Sequence, residues 1–286
     1  MIIANPIYDV TFKRILENDR AAKFLIGTIL GCEVISLVPN IQERTYEKSD
    51  KREIALFRMD YSATIKTEEE GEKKVLIELQ KALHDGDIDR FRGYLGSEYI
   101  HSQLPIISIY ILGFNLTVDS PAFVARPDCW DLRTQERLEV KDVFIQQVTH
   151  HAYFVQTLRI KPNYNTRLEK LLSIFEQANF IGHSHTTKAL TLPEIEPELN
   201  EIVKILQYMA ADEEMKKVLS DEEYYHQEME RMFGKSNREF AKLSNELTIA
   251  LKRNKDIARE LKRDGMQLEK IAKLTGLSVE EIGLLK

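Results

Sequence analysis

The chain has 286 residues, 43% hydrophobic and 30% charged, which is enough to bury a large core and leave a second region. Its formal net charge of -6 argues against a globally basic nucleic-acid-binding protein, although a local basic patch would suffice for that function. The two cysteines form no metal or redox motif, no apolar run approaches the roughly 20 residues of a membrane helix, and no signal peptide is evident; we therefore expect a cytoplasmic protein with no membrane contact.

The first 114 residues follow the order helix, three strands, helix, strand, which predicts an α/β fold. Apolar residues at helical spacing predict one amphipathic helix from Asp9 to about Leu30, ending at Gly31. Three strands are expected in EVISLVPNIQERTYEK (33–48), REIALFRMDYSATIK (52–66) and KKVLIELQK (73–81), the last two joined by a turn around Gly71. A helical stripe follows at 87–103, and 105–114 is an almost wholly apolar strand, as expected for a strand covered on both faces.

The rest of the chain changes from short strands to helices. Strands are predicted in 136–147 and 151–160, and helical periodicity begins near Asn165. The segment 182–200 contains two prolines and several turn-forming residues, which indicates a domain boundary. We therefore expect one α/β domain over residues 1–182 and an all-helical C-terminal region over 183–286.

Two acidic residues on neighbouring predicted strands suggest a metal site. Side chains alternate along a strand, so Glu78 and Gln80 share one face. A lone buried carboxylate costs several kcal/mol unless it is paired or binds a metal. If the strands pair through the turn near Gly71, Asp60 converges with Glu78, and with the backbone carbonyl of Leu79 they provide oxygen ligands for Mg²⁺ or Mn²⁺. The alternative is that Asp60 and Glu78 are solvent-facing residues of a half-exposed sheet.

The order of short motifs resembles a known nuclease family. The segments that carry the resemblance are YDVTFKRIL (8–16), RMDYSATI (58–65), VLIELQ (75–80), DRFRGYLGSEYI (89–100) and PIISIYIL (105–112). Together they are similar to the PD-(D/E)xK nuclease superfamily, in particular to the Rpn-type recombination-promoting nucleases, which are also labelled transposases. The resemblance spans about Asn5 to Phe114 and implies a restriction-endonuclease-like αβββαβ core with a mixed sheet.

The resemblance implies a magnesium-dependent DNA endonuclease of low sequence specificity, linked to recombination or mobile elements and without a small-molecule cofactor. Asp60 and Glu78 would be the metal ligands, and Gln80 would orient water or phosphate. The superfamily usually has Lys where this chain has Gln80, so a cation that stabilises charge on the transferring phosphoryl group is absent from that position.

Several other residues are candidates for the missing cation or for a further acid near the metal. Arg90 and Arg92 on the following helix either grip phosphate or form an ordinary solvated helix face. Lys81 is also a candidate phosphate contact, although a regular strand points it to the opposite face. In the opening motif, Lys13 is a further candidate, and Asp9 is either an acid near the metal or a residue favoured at a helix N-terminus.

The C-terminal region contains a predicted dimerisation helix and a short tail. Between 235 and 264 an apolar seam follows gaps of three and four, with one polar member; its residues are Phe240, Leu243, Leu247, Ala250, Asn254, Ile257 and Leu261. The seam pairs either with a second copy, giving a homodimer, or with its own domain. Segment 234–265 has nine Lys or Arg against five Asp or Glu. The tail, 267–286, resembles a helix-turn-helix, but Glu280 and Glu281 repel phosphate, which favours a packing or regulatory role.

Two functions of different classes follow from these patterns. The first is a metal-dependent DNA endonuclease built on Asp60 and Glu78. The second is a catalytically inactive DNA-binding or assembly protein. It would retain the nuclease fold but would have lost the activity, because Gln80 replaces the lysine.

Overall fold

A computed structural model describes residues 1–40, 58–68, 71–82, 88–139, 142, 145, 148–193 and 195–284, with only the backbone described at 40, 58–59, 82, 88–90, 229–230 and 232–253. The chain divides into two compact units, Met1–Glu223 and Tyr224–Lys286. The boundary predicted at 182/183 therefore lies inside the first unit. None of the described helices combines the length and apolar character needed to cross a membrane.

The first unit contains the strands and most of the short helices. Its strands are β1 (Ile2–Ala4), β2 (Glu33–Asn40), β3 (Arg58–Thr67), β4 (Gly71–Ala82), β5 (Ile106–Leu112), β6 (Ala122–Ala125), β7 (Cys129–Trp130), β8 (Arg137–Leu138), β9 (His151–Gln156) and β10 (Thr187–Ala189). The described helices of the chain are α1 (Asp9–Leu16), α2 (Asp19–Leu30), α3 (Ile88–His101), α4 (Arg167–Phe175), α5 (Pro197–Ala211), α6 (Glu213–Arg263), α7 (Leu268–Thr275) and α8 (Val279–Leu284).

The central sheet is mixed and has six described strands in the order β2-β3-β4-β5-β9-β6. Strands β2, β3 and β4 form an antiparallel meander, β5 and β9 run parallel to β4, and β6 closes the edge antiparallel to β9. The predicted α/β class is confirmed, and the order helix, three strands, helix, strand is present up to β5, with the first helix divided into two. The prediction that β5 is covered on both faces is also confirmed, because all seven of its residues are buried.

Four predicted elements differ from the structure or extend beyond the described residues. The helix predicted over 9–30 is two helices, because the Asn18 side chain accepts a hydrogen bond from the Ala21 N–H at 3.0 Å and begins α2 as an N-cap. Its predicted end is confirmed: Gly31 adopts the left-handed conformation, with φ of 69°. Of the strands predicted over 33–48, 52–66 and 136–147, residues 41–48, 52–57, 140–141, 143–144 and 146–147 lie outside the described part of the chain.

The C-terminal region is not wholly helical. Strand β10 pairs antiparallel with β1 at the N-terminus, and α5 contacts β1, α1 and α2. These contacts place residues 183–223 in the first unit. Proline and turn-forming residues at 182–200 mark a change of direction within that unit, and the apolar face of α5 belongs to its core.

The two faces of the central sheet have different coverings. The face formed by Tyr61, Leu79 and Ile109 joins the main core with α1, α2, α4 and α5. The opposite face carries a smaller cluster in which Phe91 of α3 packs with Tyr110 of β5. Residues that differ by one position along β4 therefore enter two separate environments.

Lys188 on β10 is fully buried and makes stability depend on pH. Its ammonium donates to the backbone carbonyls of Ile174, at 3.3 Å, and Glu176, and burial lowers the pKa of Lys188 to about 8, while the Glu176 carboxylate acts in the opposite direction. Between this pKa and the ordinary value of 10.5, the unfolded chain binds a proton that the folded chain has lost, so the free energy of unfolding rises with pH.

We expect the stability of wild type relative to Lys188→Met to increase by roughly 2 kcal/mol between pH 8 and pH 10, at about 1.4 kcal/mol per unit of pKa difference. Urea unfolding at several pH values would measure it. Above pH 10 the raised pKa of buried Tyr61 lowers the stability of both proteins alike as pH rises, so the comparison is made between pH 8 and pH 10. A difference between the two proteins that is independent of pH would contradict the prediction.

The second unit contains most of α6 followed by α7 and α8. Residues Ala258, Ile271, Leu277 and Ile282 form its buried cluster, against which Leu261 packs. The Asn254 side chain donates to the Thr275 carbonyl at 3.0 Å, and the Lys262 ammonium donates to carbonyls at the end of α8. Two members of the predicted seam, Asn254 and Leu261, therefore contact the tail of their own chain. The side chains from Phe240 to Ala250 lie outside the described set.

Candidate active site

Asp60 and Glu78 face each other across two neighbouring strands. Strand β3 runs antiparallel to β4 in a register that makes the two residues direct partners, and Ser108 on β5 continues the row. Directly opposed residues on one face of a sheet have Cβ atoms about 4.5–5.5 Å apart. Asp60 is 2% exposed, while Glu78 and Ser108 are fully buried. The two carboxylates are thus neighbours in a water-poor environment.

A second row of side chains lies next to the carboxylate pair on the same face. Gln80, two positions after Glu78, pairs with Arg58 on β3 and Tyr110 on β5. Gln80 is 1% exposed, and its amide nitrogen and oxygen have no hydrogen-bond partner among the described residues. A buried amide in this state costs about 1–3 kcal/mol, so the position is one that a ligand or water would stabilise.

Tyr110 adds a protonated hydroxyl to this row. Burial raises the pKa of Tyr110, the nearby Ser108 hydroxyl acts in the opposite direction, and the negative charge of Glu78 raises the pKa further. The phenol therefore stays neutral at physiological pH and can donate a hydrogen bond. On the sheet, the Tyr110 ring stacks on Phe154, with centroids 5.1 Å apart, and Phe154 stacks on Phe123 at 4.9 Å. An aromatic surface thus continues directly from the polar row.

The donor set fits a hard divalent cation. Mg²⁺ is usually bound by one or two carboxylates and keeps several waters, so a cage of three or more acidic ligands is unnecessary. Among the described residues no group of three or more His, Cys, Asp or Glu converges, which leaves the Asp60–Glu78 pair as the acidic part of the site. The backbone carbonyl of Leu79 lies between the two polar positions of β4. A cation there would offset the repulsion of two adjacent buried carboxylates.

Lys81 and Asp9 lie on the opposite face of the sheet. The Lys81 ammonium, 3% exposed, contacts the Asp9 carboxylate and the Ile7 carbonyl, and lies 3.8 Å from Glu222 of α6. The Glu222 carboxylate accepts hydrogen bonds from the Asp9 and Val10 N–H groups at the start of α1. The predicted phosphate contact of Lys81 does not agree with this placement, because its charge is buried and engaged. The role of Asp9 as an acid near the metal does not agree with it either.

The other basic residues predicted near the site are Arg92, Arg90 and Lys13. Arg92 is exposed on α3, one position after Phe91, which contacts Tyr110. Arg90 belongs to the same helix, but its side chain lies outside the described set. Lys13 is partly buried in α1, near the end of that helix.

Ser108 and Tyr110 are site residues that sequence reasoning missed. Both lie in the strand 105–114, which its apolar composition predicts only as a core element. A signal was available: Ser108 and Tyr110 are two positions apart and are the polar-capable members of an otherwise aliphatic run. Their common face with Glu78 depends on the parallel register of β4 and β5, which no local pattern specifies.

Comparison of the chain with protein-family models, with curated proteins and with solved structures found no match. The grounds for a functional inference are therefore the mixed α/β sheet, the opposed carboxylates of Asp60 and Glu78, and the buried amide of Gln80 beside them.

Proposed function

We propose that this protein is a metal-dependent DNA endonuclease with a restriction-endonuclease-like core. The observation that carries the proposal is the register that makes Asp60 and Glu78 direct partners on one buried face. The motif order of the first 114 residues, similar to that of the PD-(D/E)xK nucleases, supports the same reading. Low sequence specificity and a link to recombination or mobile elements come from this resemblance alone.

Each residue of the site has a defined role in the proposal. Asp60, Glu78 and the Leu79 carbonyl hold Mg²⁺ or Mn²⁺. The bound ion would polarise a phosphoryl oxygen and lower the pKa of a coordinated water. Gln80 orients water or a phosphate oxygen through its amide, and the neutral Tyr110 hydroxyl donates a hydrogen bond in the same row. The buried setting strengthens these interactions by excluding bulk water.

The positive charge missing at Gln80 must come from elsewhere in this proposal. Arg92, exposed on α3, is the described candidate, and a guanidinium binds phosphate bidentately. Arg90 on the same helix is the second candidate. Either would bind the DNA backbone, which positions a substrate without reading its sequence.

Homodimerisation through α6 is part of the proposal. It rests on the heptad spacing of the seam in the amino-acid sequence, of which Asn254 and Leu261 contact the tail of their own chain. An enzyme that acts on two DNA strands would use two such sites.

A non-catalytic DNA-binding or assembly protein is the second candidate. The glutamine at position 80 favours it, because an amide carries no charge with which to stabilise a phosphoryl transition state. Metal binding tests the carboxylate pair that the enzyme requires, and DNA nicking by the metal-bound protein then separates the two candidates.

Calorimetric titration of Mn²⁺ into the full chain tests the proposal. Wild type is expected to bind, and Glu78→Gln is expected to bind at least about tenfold more weakly because a charged ligand is lost, a difference of about 1.4 kcal/mol or more. Glu72→Gln is the matched control, since Glu72 is exposed on the same strand. Equal affinity in wild type and Glu78→Gln would rule out a metal held by this pair.

A further inference from the structure

A cavity lies on the face of the sheet opposite the Asp60–Glu78 pair. It has a volume of about 1230 Å³ and runs between α2 and the ends of β3 and β4 near Gly71, reaching the beginning of β9. Its lining includes Ile65, Ile107 and Tyr153, which belong to the face opposite Glu78. The whole lining belongs to the first unit. The cavity is therefore separate from the proposed nuclease site.

The cavity is locally basic in a chain of net charge -6. Among its described lining residues, six are Lys or Arg and four are Asp or Glu. On the α2 side the charges are matched: Arg20 lies 3.1 Å from Glu198, and Lys23 lies 2.9 Å from Asp19. Arg167 is also paired, 3.2 Å from Glu196. The other wall carries Lys66, Lys73 and Arg126 together with Glu33 and Glu68.

Lys73 and Arg126 supply positive charge on that wall, close to two groups that can donate hydrogen bonds. Lys73 lies close enough to Cys32 to interact electrostatically with its thiol, and Cys32 lies similarly close to Tyr153. The Arg126 side chain forms a hydrogen bond with the Tyr153 hydroxyl. Burial raises the pKa of Tyr153 and the pKa of Cys32, so both groups stay neutral at physiological pH. The same cavity is thus lined by a guanidinium, an ammonium and a phenol, three groups that bind oxyanions.

The inner wall is apolar and partly aromatic. Phe24, Ile65 and Ile107 line it, and the Arg167 guanidinium covers the Phe24 ring at 4.3 Å from the ring centre. Small-molecule sites are typically concave, mostly apolar and fitted with a few placed polar groups, with volumes of about 300–1,000 Å³. This cavity is larger than that range and about half of its lining residues are charged, but its apolar inner wall and its volume can accommodate a nucleotide.

A duplex is a poorer match than a small molecule. Glu33 and Glu68 are exposed at the rim, where they would repel a phosphate backbone passing over the surface. We propose that this cavity binds a phosphorylated small molecule of nucleotide size, with its phosphate beside Lys73, Arg126 and Tyr153 and its organic part against Phe24 and Ile107.

The two cysteines of the chain provide an internal comparison for a binding experiment. Cys32 lines the cavity and Cys129 does not, and both are partly accessible. The full chain is alkylated with N-ethylmaleimide in EDTA, which removes the proposed nuclease metal, and each cysteine is followed by mass spectrometry. ADP is expected to slow modification of Cys32 several-fold and leave the rate at Cys129 unchanged. Adenosine, which lacks phosphate, is expected to have no effect.

Variants at the cavity rim determine whether protection arises from the proposed contacts. Lys73→Met and Arg126→Gln are each expected to raise the ADP concentration needed for protection about tenfold, as for loss of one charge-assisted contact. Lys74→Met is the matched control, because Lys74 is the next residue on β4 and does not line the cavity. Circular dichroism checks that all variants fold.

Three results would overturn the proposal: no protection by ADP, equal slowing at both cysteines, or protection that is unchanged in the rim variants. Cys32 protection by a DNA duplex but not by ADP would also overturn it and assign the cavity to nucleic acid. Because metal is absent and no cleavage is measured, failure here is distinguishable from failure of the proposed nuclease function.

Discussion

Asp60→Asn and Glu78→Gln are each expected to abolish divalent-dependent nicking of supercoiled plasmid DNA. Each substitution removes one negative charge with almost no change of volume, so the buried row across β3, β4 and β5 keeps its packing. The cation would lose one of two carboxylate ligands, and the rate is expected to fall roughly 10²-fold or more, as it does when a single electrostatic group of an active site is removed.

The measurement is the initial nicking rate with Mg²⁺ or Mn²⁺ and its suppression by EDTA. Glu72→Gln, an exposed change on the same strand, is expected to nick at the wild-type rate. Circular dichroism of all proteins should be unchanged. Purified variants that nick as fast as wild type would refute the role of the carboxylate pair, whereas wild type that binds Mn²⁺ without nicking DNA would refute the hydrolytic function only.

Lys81→Met is expected to destabilise the first unit strongly. The ammonium is almost completely buried between the Asp9 carboxylate, the Ile7 carbonyl and Glu222. Without it, two acidic groups in a partly buried site lose their cation. Removing one partner of a buried ion pair typically costs about 3–5 kcal/mol. For a unit of this size, that corresponds to a fall in Tm of roughly 10 °C, at about 2–4 °C per kcal/mol.

Thermal or urea unfolding measures the effect, and Lys74→Met is the control because its side chain is exposed. The control is expected to stay within about 0.5 kcal/mol of wild type. Asp9→Asn combined with Lys81→Met should recover part of the loss, since one uncompensated charge is removed. Mn²⁺ binding by folded Lys81→Met should remain, because Lys81 and Glu78 occupy opposite faces. A stable variant with weakened DNA binding would instead restore the phosphate-binding role predicted for Lys81.

The α/β class could be predicted from the chain alone because each signal is local. Strict alternation distinguishes strands from helices, and the continuous apolar run 105–114 indicates a strand buried on both sides. The same alternation places Glu78 and Gln80 on one face and Lys81 on the other, which the contacts of Lys81 confirm. The glycine at 31 ends α2 for an equally local reason, since only glycine adopts the left-handed conformation without strain.

Contacts between distant residues could not be predicted in this way. Asp9, Lys81 and Glu222 are in contact because α1, β4 and α6 pack together. No local pattern indicates that Lys81 of β4 is buried between acidic groups of these two helices. Asn254 satisfies a heptad pattern, yet it donates to Thr275 because the tail folds back on α6. A heptad pattern indicates that one face of a helix is apolar, but it does not indicate which segment packs against that face.

Spacing within a few residues was enough to predict most strands of the central sheet and the face of β4 that carries Glu78 and Gln80, whereas the division of the first helix at Asn18 and the strand β10 were not predicted. Only the tertiary structure decided the register that opposes Asp60 to Glu78, the inclusion of residues 183–223 in the first unit, and the basic cavity beside α2. Register, docking and cavities arise from packing between segments far apart in the chain. Their free energy depends on the shapes of both partners, which no single segment encodes.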